Sequence, residues 1–113
     1  MNEAVLDASA VLAWLWNEPG GERVNALDTA HVSPVNLAEV AQKLIDHAVD
    51  ADTVRAVLAG LPSRTGTFGP EDALQAGLLR VATRHRGLSL GDRVCLALGK
   101  RLAHTVAQRQ PAV

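Results

Sequence analysis

Short apolar runs alternate along the chain with longer stretches in which apolar residues recur every three to four positions. Strand-like runs lie at residues 4–6 and 31–33, and weaker strand candidates lie at 65–68 and 105–107. Strands that alternate with helices are typical of a parallel sheet with helical crossovers. The pattern therefore predicts one α/β domain over residues 1–113, with a three-layer α/β/α arrangement around a central parallel sheet.

The helical stretches carry recognisable start and stop signals. Ser9 and Asp52 are candidate N-caps, and Pro34 and Pro70 suit a first helical turn. The helix that begins at Pro70 is expected to bury a side formed by Leu74, Leu78, Leu79, Val81 and Ala82, and to stop at Arg86-Gly87. A final helix, from about residue 90 to 102, is apolar nearly all round and is expected to be buried. The remaining predicted helices span about 10–16, 22–27, 34–46 and 53–61.

Composition limits the function classes. Hydrophobic residues make up 48% of the chain and the net charge is −1, so contact with nucleic acid needs a local basic patch. Cys95 is the single cysteine and cannot form an intramolecular disulfide, which fits a reducing compartment. The start shows no basic leader, and no run is long enough to span a bilayer. A cytoplasmic location is expected.

Three acids stand at positions where chemistry is plausible, and each has an ordinary structural explanation. Asp7 follows an apolar strand, where ligands of parallel sheets bind, or it caps the next helix. Glu39 lies beside a buried stripe and needs a partner or a metal, or it pairs with Lys43 one turn on. Asp92 opens the most apolar helix, or it stabilises that helix start as a cap.

Together the acids favour a metal site. Three carboxylates from separate segments that meet at one sheet edge would repel one another without a cation. Mg²⁺ prefers oxygen ligands, and it can activate water for attack on a phosphodiester. Histidine spacing, by contrast, does not favour zinc.

Three sequence blocks resemble the PIN-domain toxins of VapBC-type toxin–antitoxin modules. The blocks are residues 5–10 (VLDASA), 36–40 (NLAEV) and 87–98 (GLSLGDRVCLAL), and residues 17–20 (NEPG) also look typical. The resemblance implies an endoribonuclease that cuts structured RNA such as tRNA or rRNA with Mg²⁺ or Mn²⁺. It assigns the metal-binding and catalytic acids to Asp7, Glu39 and Asp92, and an assisting hydroxyl to Ser9. It further implies a homodimer inhibited by a cognate antitoxin whose C-terminal segment occupies the active-site groove.

The chain departs from the family pattern near its end. Where members continue with a further helix and strand, this sequence reads residues 106–113 (VAQRQPAV), and Gln110 falls near the expected fourth acid. The final strand and helix are therefore expected to be missing. Metal binding is expected to be weakened, and apolar surface is expected to be left open at the sheet edge.

Several other residues are candidates for binding. Arg93 could hold the scissile phosphate or pair with an acid. Arg80, Arg84, His85 and Arg86 could contact RNA or simply complement a helix C-terminus. Trp14 and Trp16 cannot both face the core, which suggests an interface.

Two other function classes compete with the nuclease. One is a catalytically weak or inactive PIN-domain protein that acts through dimerisation or antitoxin binding. The other is a different α/β phosphate enzyme, for which the residues after Asp7 lack the expected second acid.

Overall fold

The computed structural model describes residues 2–109, with side chains for residues 2–103. Three parallel strands form a sheet in the order β1 (Glu3–Leu6), β2 (Thr29–Val32), β3 (Arg64–Thr65). The helices, in chain order, are α1 (Ala8–Leu15), α2 (Pro34–Asp46), α3 (Ala51–Gly60), α4 (Pro70–Thr83) and α5 (Leu90–Arg109), with 3₁₀ turns at Gly21–Ala26 and Arg84–Arg86. The predicted α/β architecture around a parallel sheet is confirmed.

The strand register determines which loops meet. Leu6 pairs with Val32, and Val32 pairs with Thr65, so all three strands end level at one edge. Asp7 and Ser33, which follow β1 and β2 directly, consequently lie next to each other at this edge. In a parallel sheet this carboxyl edge is where ligands bind.

Two apolar clusters hold the fold together. The larger joins β1 and β2 to α1, α2 and α3, and its fully buried centre is Val32 and Val40. The smaller packs Ala76 of α4 against Val94 and Ala97 of α5. Helix α5 also lies beside β1, where Gly99 faces Val5. This second cluster fixes the start of α5 near the carboxyl edge of the sheet.

The candidate caps Ser9 and Asp52 are each wrong by two residues, whereas the alternative that Asp7 caps the next helix is confirmed. Asp7, not Ser9, caps α1, because its Oδ1 accepts from the Ala10 amide at 2.8 Å. Asp50, not Asp52, caps α3, because its Oδ1 accepts from the Thr53 amide at 2.8 Å. Both helices therefore begin earlier than the sequence signals suggested.

Two strand predictions also need correction. The third strand is shorter than expected, Arg64–Thr65, although the Gly66 amide still donates to the Val32 carbonyl at 2.9 Å. The strand predicted at 105–107 is absent, because α5 continues through these residues to Arg109. No glycine or proline interrupts the chain between 100 and 109, so the helix propagates past β-branched residues. Gln110 lies outside the described residues.

The predicted buried sides of the last two helices are only partly right. Leu79 is half-buried, but Leu74, Leu78 and Val81 are 53%, 54% and 69% exposed. On α5, Leu90 and Leu96 are 57% and 46% exposed. The two helices pack against each other, and α5 also packs against α2 and β1, whereas the exposed leucines and valine named above lie outside these contacts.

None of the helices in the described part of the chain is both long enough and apolar enough to cross a bilayer.

Candidate active site

Asp7 stands at the carboxyl end of β1 and is half-buried. The strand ends because Asp7 caps α1 with one carboxylate oxygen, Oδ1. The cap and a ligand role are compatible, because the cap does not use the second oxygen. Asp7 therefore presents a carboxylate oriented by its own helix at the ligand-binding edge of the sheet.

Glu39 is positioned by a buried amide rather than by Lys43. Asn36 is 1% exposed, and its Nδ2 donates to Glu39 Oε1 at 2.8 Å and to the Gly91 carbonyl at 3.2 Å. The Ser33 hydroxyl, which caps α2, donates to Asn36 Oδ1 at 2.6 Å. Asn36 thus joins the first turn of α2 to the first turn of α5 and fixes the Glu39 carboxylate between them.

Gly91 allows this close approach. A Cβ at Gly91 would overlap the Glu39 carboxylate. The absence of a side chain at this position lets the carboxylate of α2 lie directly against the α5 backbone.

Asp92 and Ser89 form a capping box at the start of α5. The Asp92 Oδ2 accepts from the Ser89 amide at 2.9 Å, and the Ser89 hydroxyl accepts from the Asp92 amide at 3.1 Å. Such a capping box satisfies two amides at a helix start. It also orients the Asp92 carboxylate beside the turn that contacts Glu39.

Cys95 marks the place that the three acids share. The pKa of its thiol is raised from 9.0 to about 11, mainly by burial and then by the negative charges of Asp7, Asp92 and Glu39, in that order of effect. All three carboxylates therefore act on one half-buried thiol from three different elements. Because the thiol is protonated at neutral pH, Cys95 is a poor nucleophile there.

The acids carry no compensating protein cation. In the part of the chain whose side chains are described, none of the three forms a salt bridge with Lys or Arg. Helix starts at α1, α2 and α5 supply partial positive charge at the same edge. The three acids thus form an anionic cluster that, among the described side chains, has no salt bridge to Lys or Arg.

The carboxylates do not form a closed metal cage. Among the described residues, no three Asp, Glu, His or Cys side chains stand close enough to hold a metal ion together. Each acid nevertheless uses one oxygen in a local hydrogen bond and keeps the other. Mg²⁺ usually keeps several waters and takes only one or two carboxylates directly. This all-oxygen donor set fits a hydrated hard cation.

The two predicted substrate-binding residues have different positions. Ser9 is exposed in the first turn of α1, two residues after Asp7. Arg93 is 9% exposed, and its Nη1 donates to the Ala76 carbonyl of α4 at 3.1 Å. The structure does not bring Arg93 together with the acids, because its side chain lies on the α4 side of α5.

The interface candidates on α1 are only partly exposed. Trp14 is half-buried and its Nε1 donates to Asn25 Oδ1 at 2.9 Å, whereas Trp16 is 40% exposed and its ring is 4.8 Å from that of His47. The prediction that the two tryptophans do not both face the core is confirmed, whereas the interface that they suggested stays a prediction.

Sequence reasoning gave no site role to Asn36, Gly91 or Cys95. A signal existed for Asn36, which precedes Glu39 by three positions on α2 and so shares its face. Gly91 and Cys95 carried no comparable signal, because their importance depends on how α5 packs.

An open parallel sheet with acids gathered at its carboxyl edge defines a class of α/β proteins that bind ligands there. The family model of the PIN domain matches residues 4–108 of this chain. The chain therefore belongs to the PIN domain family, whose members are generally nucleases and typically use divalent metal ions. No curated protein has significant sequence similarity to it.

Proposed function

We propose that this chain is a metal-dependent endoribonuclease of the VapC toxin type, which hydrolyses RNA phosphodiester bonds. The observation that carries the proposal is the convergence of Asp7, Glu39 and Asp92 on Cys95 without a compensating cation. Membership of a family of nucleases supports the reaction class. The same three acids are proposed as the catalytic and metal-binding residues.

When bound, Mg²⁺ or Mn²⁺ supplies Lewis-acid polarisation of a phosphoryl oxygen and activation of water. The chain's own residues prepare the pocket for it. Asn36 prevents Glu39 from turning away, and the caps at Asp7 and Ser89 hold the other two carboxylates. We assign Ser9 to contact with the substrate beside Asp7, because its hydroxyl is exposed there.

We also propose that the protein works in the cytoplasm as a homodimer controlled by a VapB-type antitoxin. Exposed apolar residues Leu74, Leu78 and Val81 on α4 and the exposed Trp16 on α1 support contact with protein partners. tRNA or rRNA is the proposed substrate class, from the resemblance to the toxins.

The test is cleavage of purified cellular RNA by the full chain. We expect cleavage with Mg²⁺ or Mn²⁺, none with a chelator, and a loss of at least about a hundredfold in Asp7→Asn, Glu39→Gln or Asp92→Asn. Asp46→Asn removes an exposed carboxylate at the far end of α2 and should cleave like the wild type.

A second candidate function is a PIN protein without catalysis that acts through dimerisation or antitoxin binding. The open spacing of the acids favours it. Folded protein that binds Mn²⁺ but leaves tRNA and rRNA intact would refute the nuclease and favour this alternative.

A further inference from the structure

We propose that a cavity between α4 and α5, separate from the acidic pocket, binds a phosphate group. The cavity has a volume of about 220 Å³ and lies where α4 ends and α5 begins. Its lining residues are Arg80, Thr83, Arg84, Gly87, Leu88 and Arg93. Three of these six residues are arginines, contributed by α4, the following 3₁₀ turn and α5.

Charge selects the ligand class. No carboxylate lines the cavity, and within the described side chains none of the three arginines forms a salt bridge. The three positive charges would repel a cation, and an apolar ligand would leave the guanidinium groups without hydrogen-bond acceptors. Guanidinium groups match the oxygens of phosphate with paired hydrogen bonds. A phosphoryl anion is the ligand that this lining fits.

The buried arginine gives the second, independent observation. Arg93 is 9% exposed, and Nη1 is the nitrogen that donates to the Ala76 carbonyl. Its Nε is buried and has no partner among the described residues. A buried charged group with unused donors is costly unless an acceptor is supplied. An anion in the cavity would supply acceptor oxygens and charge compensation for this guanidinium.

The helix dipole of α4 accounts for the positions of only two of the three arginines. Arg80 and Arg84 stand at the C-terminal end of α4, where cations are favourable without any ligand. Arg93, however, comes from the first turn of another helix, where a cation is unfavourable. Its convergence with the other two arginines therefore needs a different reason.

The cavity and the proposed catalytic site both use residues of α5, but none of the three acids lines the cavity. Asp92 and Arg93 are consecutive in α5, but Asp92 accepts from the Ser89 amide, whereas Arg93 donates to the Ala76 carbonyl of α4. In its RNA form the inference rests on the proposed function: the cavity would hold a backbone phosphate other than the one that is cut. A free phosphate is the other source of the same chemistry.

The first experiment uses inorganic phosphate and needs no catalysis. Phosphate is titrated into the full chain at constant ionic strength, and the backbone amide NMR signals of Gly87 and Leu88 are followed. We expect saturable shifts in the wild type and a loss of affinity of about tenfold or more in Arg80→Gln/Arg84→Gln. The control Arg23→Gln/Arg55→Gln removes equal charge at exposed positions outside the cavity and should bind as the wild type does.

Two results would overturn the site: no saturable shift in the wild type, or an equal loss in the control pair. Arg84→Lys keeps the charge and loses the paired geometry, so we expect its affinity to fall between those of the wild type and the double variant. Amide spectra of each variant in the absence of phosphate verify folding.

The second experiment identifies the source of the phosphate. A single-stranded RNA oligonucleotide is titrated by fluorescence anisotropy with a chelator present, so that cleavage cannot occur. If the ligand is an RNA backbone phosphate, the double variant binds more weakly than its control, and the slope of log affinity against log salt falls by about 0.7 per lost contact. Unchanged RNA affinity beside lost phosphate binding identifies a free phosphate. Failure of RNA cleavage with metal would refute the proposed function and leave the phosphate result standing.

Discussion

The Cys95 thiol responds to the charges of all three acids of the candidate site. Burial is the main cause of its pKa of about 11, compared with an ordinary 9.0, and the three carboxylates add to it because negative charge disfavours the thiolate. The thiol is therefore protonated and weakly nucleophilic at neutral pH. Its titration still reports the charge around it.

Asp7→Asn is expected to lower the Cys95 pKa, because Asp7 is the largest of the three charge effects. Asp46→Asn should leave it unchanged. The measurement is the rate of iodoacetamide alkylation against pH, whose midpoint should move from about 11 toward 9.0 without reaching it, since burial remains. An identical profile in both variants would show that Asp7 does not face the thiol.

Gly91 and Gly77 form a matched pair of helical glycines. Gly91→Ala places a methyl group on the Glu39 carboxylate, and we expect a loss of about 1–3 kcal/mol in unfolding free energy from overpacking. Gly77→Ala in α4 meets no atom within 4 Å, so better helix propensity should stabilise the protein by about 0.5–1 kcal/mol. Urea unfolding measures both. Equal effects of the two substitutions would contradict the contact with Glu39.

At the level of elements, periodicity predicted the order of strands and helices well and their ends less well. Competing caps two residues apart cannot be separated from sequence, because the end of the preceding element, a strand before α1 and a helix before α3, decides where the helix begins. The strand predicted at 105–107 failed for a related reason. Its β-branched residues favour a strand locally, but an uninterrupted helix extends through them.

The cap of α3 gives a pH-dependent test. Hydrogen bonds from the Thr53 amide to Asp50 hold the pKa of that carboxyl below its ordinary 3.8. A lowered folded-state pKa stabilises the fold above pH 3.8, and this contribution is lost as pH falls through the folded pKa. Asp50→Asn should therefore lower the Tm most at neutral pH, and the difference should shrink on acidification.

Asp52→Asn is the control, because Asp52 is paired with the exposed Arg55 and does not cap the helix. Thermal unfolding followed by circular dichroism between neutral and acidic pH checks both variants. A larger effect of Asp52→Asn would assign the cap as the sequence alone had suggested.

At the level of the whole molecule, sequence could propose which acids matter but not how they meet. Asp7, Glu39 and Asp92 are far apart along the chain, and only the level ends of β1 and β2 and the packing of α5 beside β1 bring them around Cys95. The position of the Arg93 side chain could not be predicted from sequence for the same reason. The position of Arg93 next to Asp92 suggested the acidic pocket, whereas the helical turn directs its side chain to α4.

Apolar periodicity shows that a helix face is to be covered but not what covers it. Leu74, Leu78 and Val81 have the spacing of a buried side and remain exposed in the single chain. If the proposed homodimer uses this face, Leu78→Glu should convert a dimer to a monomer, because it places charge in an apolar contact. Ala73→Glu adds the same charge on another side of α4 and should leave the dimer intact. Sedimentation equilibrium measures the masses; a wild-type monomer, or two variants that behave alike, would exclude this face as the dimer contact.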